Sequence, residues 1–140
     1  RPATSSCVWK SRFCNWKRSE AIDYMESMLA AHPNAGDIDC VYAHNDPMAI
    51  GAQLAAKEAG RDSEMIFVGV DGLRDEGVRA VLDGKLAATF LYPTCGEEAI
   101  AAAAKIFNGE EVPKRQILNT ARITPENAEE WYNTLPPSAR

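Results

Sequence analysis

Four side chains that suit a polyhydroxylated ligand stand beside apolar segments of this 140-residue sequence. Three of them follow or close apolar runs of the kind that form strands, and the fourth is an indole just before a helical pattern. A carboxylate and an amide can each bond neighbouring hydroxyls, while an indole face packs on the C–H side of a sugar ring. Such a set requires no group that transfers a proton or attacks carbon. The sequence therefore predicts a carbohydrate-binding rim formed by Trp16, Asn45, Asp71 and Tyr92.

The junction "HNDP" can also be explained by helix capping. Pro47 suits the first turn of a helix, where its missing N–H costs nothing, and an Asn or Asp before it can cap that turn. Capping and binding are compatible, because one residue can cap while its neighbour faces a cleft. We expect Asp46 to cap the helix and Asn45 to lie at the rim.

The other three candidates have structural interpretations as well. Asp71-Gly72 is a common turn dipeptide. Trp16 can be a core aromatic that fixes the start of a helix, and Tyr92 can simply end a strand before a proline. These interpretations remain open at the level of sequence.

Other classes of site find little support in the sequence. His32 and His44 have no partner at metal-ligand spacing. Nucleotide-binding, hydrolase and zinc-protease motifs are absent, and the net charge of −5 argues against a nucleic-acid surface. Asp71 in "GVDG" suggests a phosphate-accepting aspartate, but that site needs a lysine at a later strand end, and Lys85 precedes its strand. We expect no metal and no cofactor.

Alternating hydrophobic patterns predict an α/β fold with a parallel sheet and helices on both faces. The length suits one domain, or a piece of one. No apolar run approaches the ~18 residues of a membrane span, and the chain opens on Arg1 without a visible signal peptide. The predicted strands are 38–43, 65–70, 86–92 and 117–123. The predicted helices are 17–31, 47–59, 75–83, 97–107 and 124–133.

The four cysteines show no metal-binding spacing. Cys40 and Cys95 lie in or beside apolar segments, which favours buried free thiols. Cys7 and Cys14 can form a disulfide in an oxidising compartment, or remain free. They belong to residues 1–15, an irregular start or an edge strand around 7–13.

Four stretches, taken in order, resemble a known family: "NWKRSEAIDYMESMLAAHP", "DCVYAHNDPMAIGAQLAAKEAG", "IFVGVDG" and "VRAVLDGKLAATFLYPTCGEEAI". They cover residues 15–108 and resemble the sugar-binding proteins of ABC transporters with the type I periplasmic fold, especially the ribose and galactofuranose binders. The resemblance implies an extracytoplasmic receptor, not an enzyme, whose two α/β lobes close on one monosaccharide and deliver it to a membrane permease.

The resemblance also implies that the chain is incomplete, since family members are about twice this length, as two domains require. Residues 16–140 would form part of the C-terminal lobe. Residues 96–110 would pack on the missing first lobe, or mediate self-association without it.

Residue by residue, Trp16 matches the aromatic that stacks on the sugar ring, Asn45 matches the amide of the N-D-x-M-A element, and Asp71 matches the carboxylate after the V-G-x-D strand. Tyr92 stands where the ribose binder has a glutamine, and this departure leaves the identity of the sugar open.

Two other classes of protein remain as alternatives to this interpretation. One is the sensor core of a LacI-type transcription regulator, and the other is a flavodoxin-like phosphoacceptor domain.

Overall fold

The computed structural model describes residues 10–138, in which helices alternate with short strands. This alternation confirms the predicted α/β class. A 3-10 turn spans Asp62–Glu64, and a single π-helical turn spans Arg74–Val78. The α-helices are α1 (Arg18–Ala31), α2 (Asp46–Glu58), α3 (Arg79–Leu82), α4 (Gly96–Phe107) and α5 (Ala128–Thr134). The strands are β1 (Cys40–Tyr42), β2 (Ile66–Val68), β3 (Thr89–Phe90) and β4 (Arg122–Ile123).

The strands follow one another across the sheet in chain order. β1 and β2 are parallel, with Val41 opposite Phe67. The N–H of Gly69 donates to the carbonyl of Ala88 at 3.0 Å, and parallel bridges join Val68 to Ala88 and Asp71 to Leu91. Residues 88–91, here called the β3 segment, therefore run parallel to β2. The carboxyl ends of these three segments therefore lie at one edge of the sheet, where a parallel sheet binds its ligands.

β4 departs from the expected parallel arrangement. It pairs antiparallel with β3, with Thr89 opposite Ile123. The N–H of Leu91 donates to the carbonyl of Ala121, so the chain reaches β4 beside the carboxyl end of β3 and must run back along it. The predicted strand 117–123 is correspondingly shortened to its last two residues.

The core lies on one face of the sheet. Phe67 of β2 is buried in a single apolar cluster that α1, α2, α3 and α5 share. Val41 of β1 packs against this cluster, whereas Cys40 and Tyr42 alternate to the other face and are exposed. Ile66 is 54% exposed on the same side. The expectation of helices on both faces is therefore wrong for residues 10–138, where this side of β1 and β2 is open.

The cysteines reverse the sequence-based expectation. Cys40 and Cys95 are exposed free thiols, and Cys14 is a buried one. Cys40 lies on the open side of β1, and Cys95 occupies a left-handed turn before α4. Cys7 lies outside the described residues, as does the first part of the possible strand 7–13, and residues 10–13 form no strand.

α4 is amphipathic but contributes no residue to the core. Ile100 is 74% exposed and Phe107 is 92% exposed. Within residues 10–138 no helix has both the length and the apolar character needed to cross a bilayer.

Candidate ligand-binding site

Trp16 lies in a tight turn that ends where α1 begins. Asn15 and Trp16 both have left-handed backbones, with φ of 47° and 60°, and the N–H of Lys17 closes the turn onto the carbonyl of Cys14 at 2.8 Å. A non-glycine residue in this region costs about 1–3 kcal/mol and persists only where its surroundings hold it. The indole is 58% exposed. The turn therefore presents this ring at the surface, which contradicts its interpretation as a core aromatic.

Asn45 is the N-cap of α2. Its Oδ1 accepts the N–H of Met48 at 2.9 Å, and its Nδ2 donates to the carbonyl of Trp16 at 3.1 Å. The expectation that Asp46 caps the helix is wrong, because Asp46 already belongs to the first helical turn. The amide joins the Trp16 turn to α2, and these two bonds leave one N–H and one lone pair of its capacity.

Asp46 is fully buried beneath the strand ends. Its Oδ1 accepts the hydroxyl of Thr89 at 2.5 Å, and its Oδ2 accepts the N–H of Leu73 at 2.9 Å. Burial raises the pKa of this carboxyl to about 6, because the desolvation of the charge outweighs the stabilisation by its hydrogen-bond donors. The side chain of Asp46 thus connects three parts of the fold: α2, β3, and the loop that follows β2.

Asp71 lies in that loop, three residues beyond β2, and has an unusual backbone. Its φ is 106°, in the region that favours glycine. Its N–H donates to the carbonyl of Phe90 at 2.9 Å, and its carbonyl accepts the N–H of Tyr92 at 3.0 Å. Partial burial, and then the nearby Glu76 carboxylate, raise the pKa of the Asp71 carboxyl. The structure therefore places the Asp71 and Tyr92 backbones side by side.

Tyr92 is 67% exposed at the end of the β3 segment. The strand-end interpretation fits Tyr92, but the turn interpretation does not fit Asp71, which forms a parallel bridge with Leu91. Neither interpretation accounts for the left-handed backbone at Asp71, since glycine would take that conformation at lower cost.

Five residues that sequence reasoning missed lie around Trp16 at this rim. A shallow depression of about 240 Å³ is lined by Arg12, Phe13, Cys14, Trp16, His44 and Met48. The imidazole of His44 meets the Trp16 indole edge-to-face, with ring centroids 6.4 Å apart. Phe13 is 72% exposed beside it. Position in the chain offered the only signal: Arg12 and Phe13 precede Trp16 closely, and His44 precedes Asn45.

The site carries hydrogen-bonding groups and aromatic faces rather than a reactive constellation. Within residues 10–138 there is no group of three or more His, Cys, Asp or Glu side chains that could hold a metal ion. The Glu76 carboxylate, whose charge adds to partial burial in raising the pKa of the Asp71 carboxyl, pairs with Arg18 of α1 at 2.9 Å. Such an arrangement can bind and orient hydroxyl groups and stack on a ring.

A comparison with known families identifies the class of protein to which this fold belongs. Residues 7–111 match the model of the periplasmic binding protein domain, and the chain belongs to that family. This result confirms the resemblance deduced from the sequence stretches.

The individual relatives are proteins that bind sugars and related polyols. The chain is 40% identical to the ribose import binding protein of Salmonella typhimurium over 107 residues, which cover 75% of this chain and 34% of the relative. It is also 40% identical to the D-apiose import binding protein of Paraburkholderia graminis, over 81% of this chain and 36% of the relative.

Solved structures give the same picture at the level of fold. The fructose-binding periplasmic domain of a hybrid two-component system has 46% identity and a TM-score of 0.77, over 84% of this chain and 39% of that one. The binding component of an arabinose ABC transporter from Shewanella has 30% identity and a TM-score of 0.79, over 90% and 42%. The chain therefore spans well under half the length of the relatives and structures described here.

Proposed function

We propose that this chain forms one side of a monosaccharide site in an extracytoplasmic receptor for an ABC importer. Two observations carry the proposal: a hydrogen bond joins Asn45 to Trp16 and another joins Tyr92 to Asp71, and Asn45, Asp71 and Tyr92 each follow a strand at the carboxyl edge of the parallel sheet. Two of the four residues, Trp16 and Asp71, have positive φ. Strained backbone at non-glycine residues concentrates at ligand sites, which supports the same assignment.

Each residue has a role in this proposal. The Trp16 ring stacks on the C–H face of the sugar, supported from the side by His44. Asp71 accepts hydrogen bonds from two adjacent hydroxyls, and Asn45 contributes its remaining N–H. Tyr92 contributes a phenol at the end of the β3 segment. No step of this function is catalytic.

The remaining side of the site belongs, in this proposal, to a first lobe. The exposed apolar residues of α4 support that expectation. Residues 16–140 then form part of the C-terminal lobe, and residues 96–110 pack against the first lobe. The family also favours a periplasmic location and a membrane permease as the partner that takes the sugar.

The test uses a full-length protein that carries this chain. Thermal-shift screening against pentoses and hexoses should find at least one sugar that raises the melting temperature, and calorimetric titration should show saturable binding of that sugar. Tryptophan fluorescence should change on binding in the wild type and in Trp131→Phe, but not in Trp16→Phe. Absence of binding by every monosaccharide would overturn the proposal, and an unchanged fluorescence response in Trp16→Phe would remove the stacking role.

A second candidate function involves the same kind of ligand but a different protein partner. The 46% identity to the fructose-binding domain of a hybrid two-component system favours a sugar-sensing receptor domain. A sugar-dependent change in kinase activity of the full-length protein, without stimulation of a transporter ATPase, would select this candidate over the importer.

A further inference from the structure

The least expected polar group in the described residues is the carboxylate of Asp46. It is 0% exposed, although buried aspartate is uncommon and costly. The rim residues named so far do not include it, and it has no route to a ligand through solvent. Its role must be sought in what it holds.

The hydrogen bonds of Asp46 converge on the loop that carries Asp71. Oδ2 accepts the N–H of Leu73 at 2.9 Å, and the N–H of Gly72 further stabilises the carboxylate. Oδ1 accepts the hydroxyl of Thr89 at 2.5 Å, and the oxygen of that hydroxyl accepts the N–H of Gly72 at 3.3 Å. Asp46 and Thr89 together fix both residues that follow Asp71.

Two glycines from separate segments make room for this carboxylate. A Cβ added at Gly77, in the π-helical turn, would lie 2.0 Å from Asp46 Oδ2. A Cβ added at Gly69, just after β2, would lie 2.4 Å from Oδ1. The surrounding backbone is therefore shaped around a charged side chain, where an apolar residue of similar volume would often stabilise a fold as well or better.

We propose that Asp46 is a positioning residue for ligand binding, which acts with Thr89 by holding the Gly72 and Leu73 amides so that Asp71 keeps its left-handed backbone at the rim. The inference rests on the proposed function for its ligand, a monosaccharide. Asp46 does not touch the sugar. It sets the direction in which the Asp71 carboxylate leaves the main chain, and a small rotation there removes both hydrogen bonds to adjacent hydroxyls at once.

The test combines affinity, stability and amide chemical shifts in the full-length protein. Asp46→Asn keeps the shape but replaces one acceptor oxygen by an N–H donor and removes the charge. It should weaken binding of the sugar found by screening by about tenfold or more, and it should shift the Gly72 and Leu73 amide resonances in the sugar-free protein. Leu29→Ala is the control, because Leu29 is a buried residue of α1 in the same core with no hydrogen bond to this loop. It should lower stability while leaving affinity and these resonances unchanged.

A second pair of variants covers the case in which Asp46→Asn does not fold. Thr89→Val removes the hydroxyl and should reduce affinity, whereas Thr89→Ser retains it and should restore affinity to near the wild-type value. A merely structural role predicts instead that affinity follows stability in all four variants, and that result would overturn the proposal. Unchanged Gly72 and Leu73 resonances in Asp46→Asn or Thr89→Val would overturn it as well. If the wild type binds no sugar, the proposed function fails, while the resonances of the sugar-free protein still decide whether Asp46 positions the loop.

Discussion

At the scale of single residues, the backbone of Asp71 offers a way to separate binding from turn formation. Its φ of 106° means that Asp71→Gly removes the carboxylate and relaxes the backbone together. In a full-length protein, we expect this variant to bind sugar about 10- to 150-fold more weakly, as the loss of a charge-assisted hydrogen bond predicts. Its sugar-free melting temperature should stay the same or rise. Titration calorimetry and thermal unfolding measure the two effects.

Two further substitutions serve as controls for Asp71. Asp71→Ala loses the same carboxylate but keeps the backbone strain. It should therefore lose as much affinity as Asp71→Gly and melt at a lower temperature than Asp71→Gly. Asp71→Asn keeps one acceptor oxygen, so its affinity should fall between those of wild type and Asp71→Ala. Reduced melting temperature in Asp71→Ala with unchanged affinity in all three variants would make Asp71 a turn residue only.

The raised pKa of Asp46 leads us to expect an unusual pH dependence of the free energy of unfolding. Its pKa is about 6 in the folded chain against an ordinary 3.8, so between these values the folded state holds a proton that the unfolded state has lost. The contribution of this group to the free energy of unfolding therefore falls as the pH rises from about 4 to 6. The full change is on the order of 3 kcal/mol, at about 1.4 kcal/mol for each pKa unit.

Urea unfolding of wild type and Asp46→Asn at several pH values tests this prediction. The lowered pKa values of Glu20, Glu64 and Glu126 act in the opposite direction, but they are common to both proteins and cancel in the difference. The wild type should lose stability relative to Asp46→Asn as the pH rises from 4 to 7. A constant difference, or one of opposite sign, would show that Asp46 is charged throughout this range.

At the scale of elements, the π-helical turn Arg74–Val78 is fitted to the Asp46 carboxylate. Gly77→Ala would place a methyl group 2.0 Å from Oδ2, so we expect it to destabilise the chain by about 2–3 kcal/mol, the upper range for overpacking. Gly96→Ala is the matched control, because nothing lies within 4 Å of its Cβ at the start of α4. It should be neutral or slightly stabilising, since alanine favours a helix. Equal melting temperatures for the two variants would contradict the close fit at Gly77.

The elements that could be predicted from the sequence are those with strong local signals. α1 and α2 appear within one residue of their expected starts, because apolar periodicity and Pro47 mark them. The strand 117–123 is wrong over most of its length, because its backbone pairs with the β3 strand only from Ala121 onward. The segment 75–83 is helical as predicted, but its first turn is π-helical and packs at Gly77 against the carboxylate of Asp46, a residue distant in sequence.

The candidate site shows the same division between local and distant information. Asn45, Asp71 and Tyr92 could be selected because strand ends meet at one edge of a parallel sheet. Whether Asn45 or Asp46 caps α2 could not be predicted, since both residues suit a cap and the outcome depends on donors from Leu73 and Thr89. Thr89 itself carries a signal, as the only small polar residue in the apolar run 86–91.

At the scale of the whole molecule, we expect the exposed apolar residues of α4 to govern the association state of the isolated chain. Ile100 and Phe107 are 74% and 92% exposed, and Ile106 is 59% exposed beside them. Exposed apolar groups this large favour association, so we expect the 140-residue chain to self-associate through α4, measured by light scattering. Ile100→Lys with Phe107→Lys should restore the monomer, whereas Glu97→Lys in the same helix should not. A monomeric wild type whose α4 amides are strongly protected from hydrogen exchange would contradict this expectation.

Under the proposed function the isolated chain carries only one side of the sugar site, so we expect its affinity for a monosaccharide to be low. A sugar on this rim would keep its other face in water, so roughly half of the polar contacts are absent and the remaining ones stay solvated. Trp16 at 58% and Tyr92 at 67% exposure already show how open the rim is. We therefore expect calorimetry to detect no monosaccharide binding tighter than about millimolar by the 140-residue chain. The same sugar should bind a full-length protein at least about a thousandfold more tightly, the difference between millimolar and micromolar affinity.

The double lysine variant in α4 is the control for this prediction. It keeps the isolated chain monomeric, so that self-association cannot cover the rim. Micromolar binding by that variant would mean that residues 10–138 form a complete site, and the need for a first lobe would fall away.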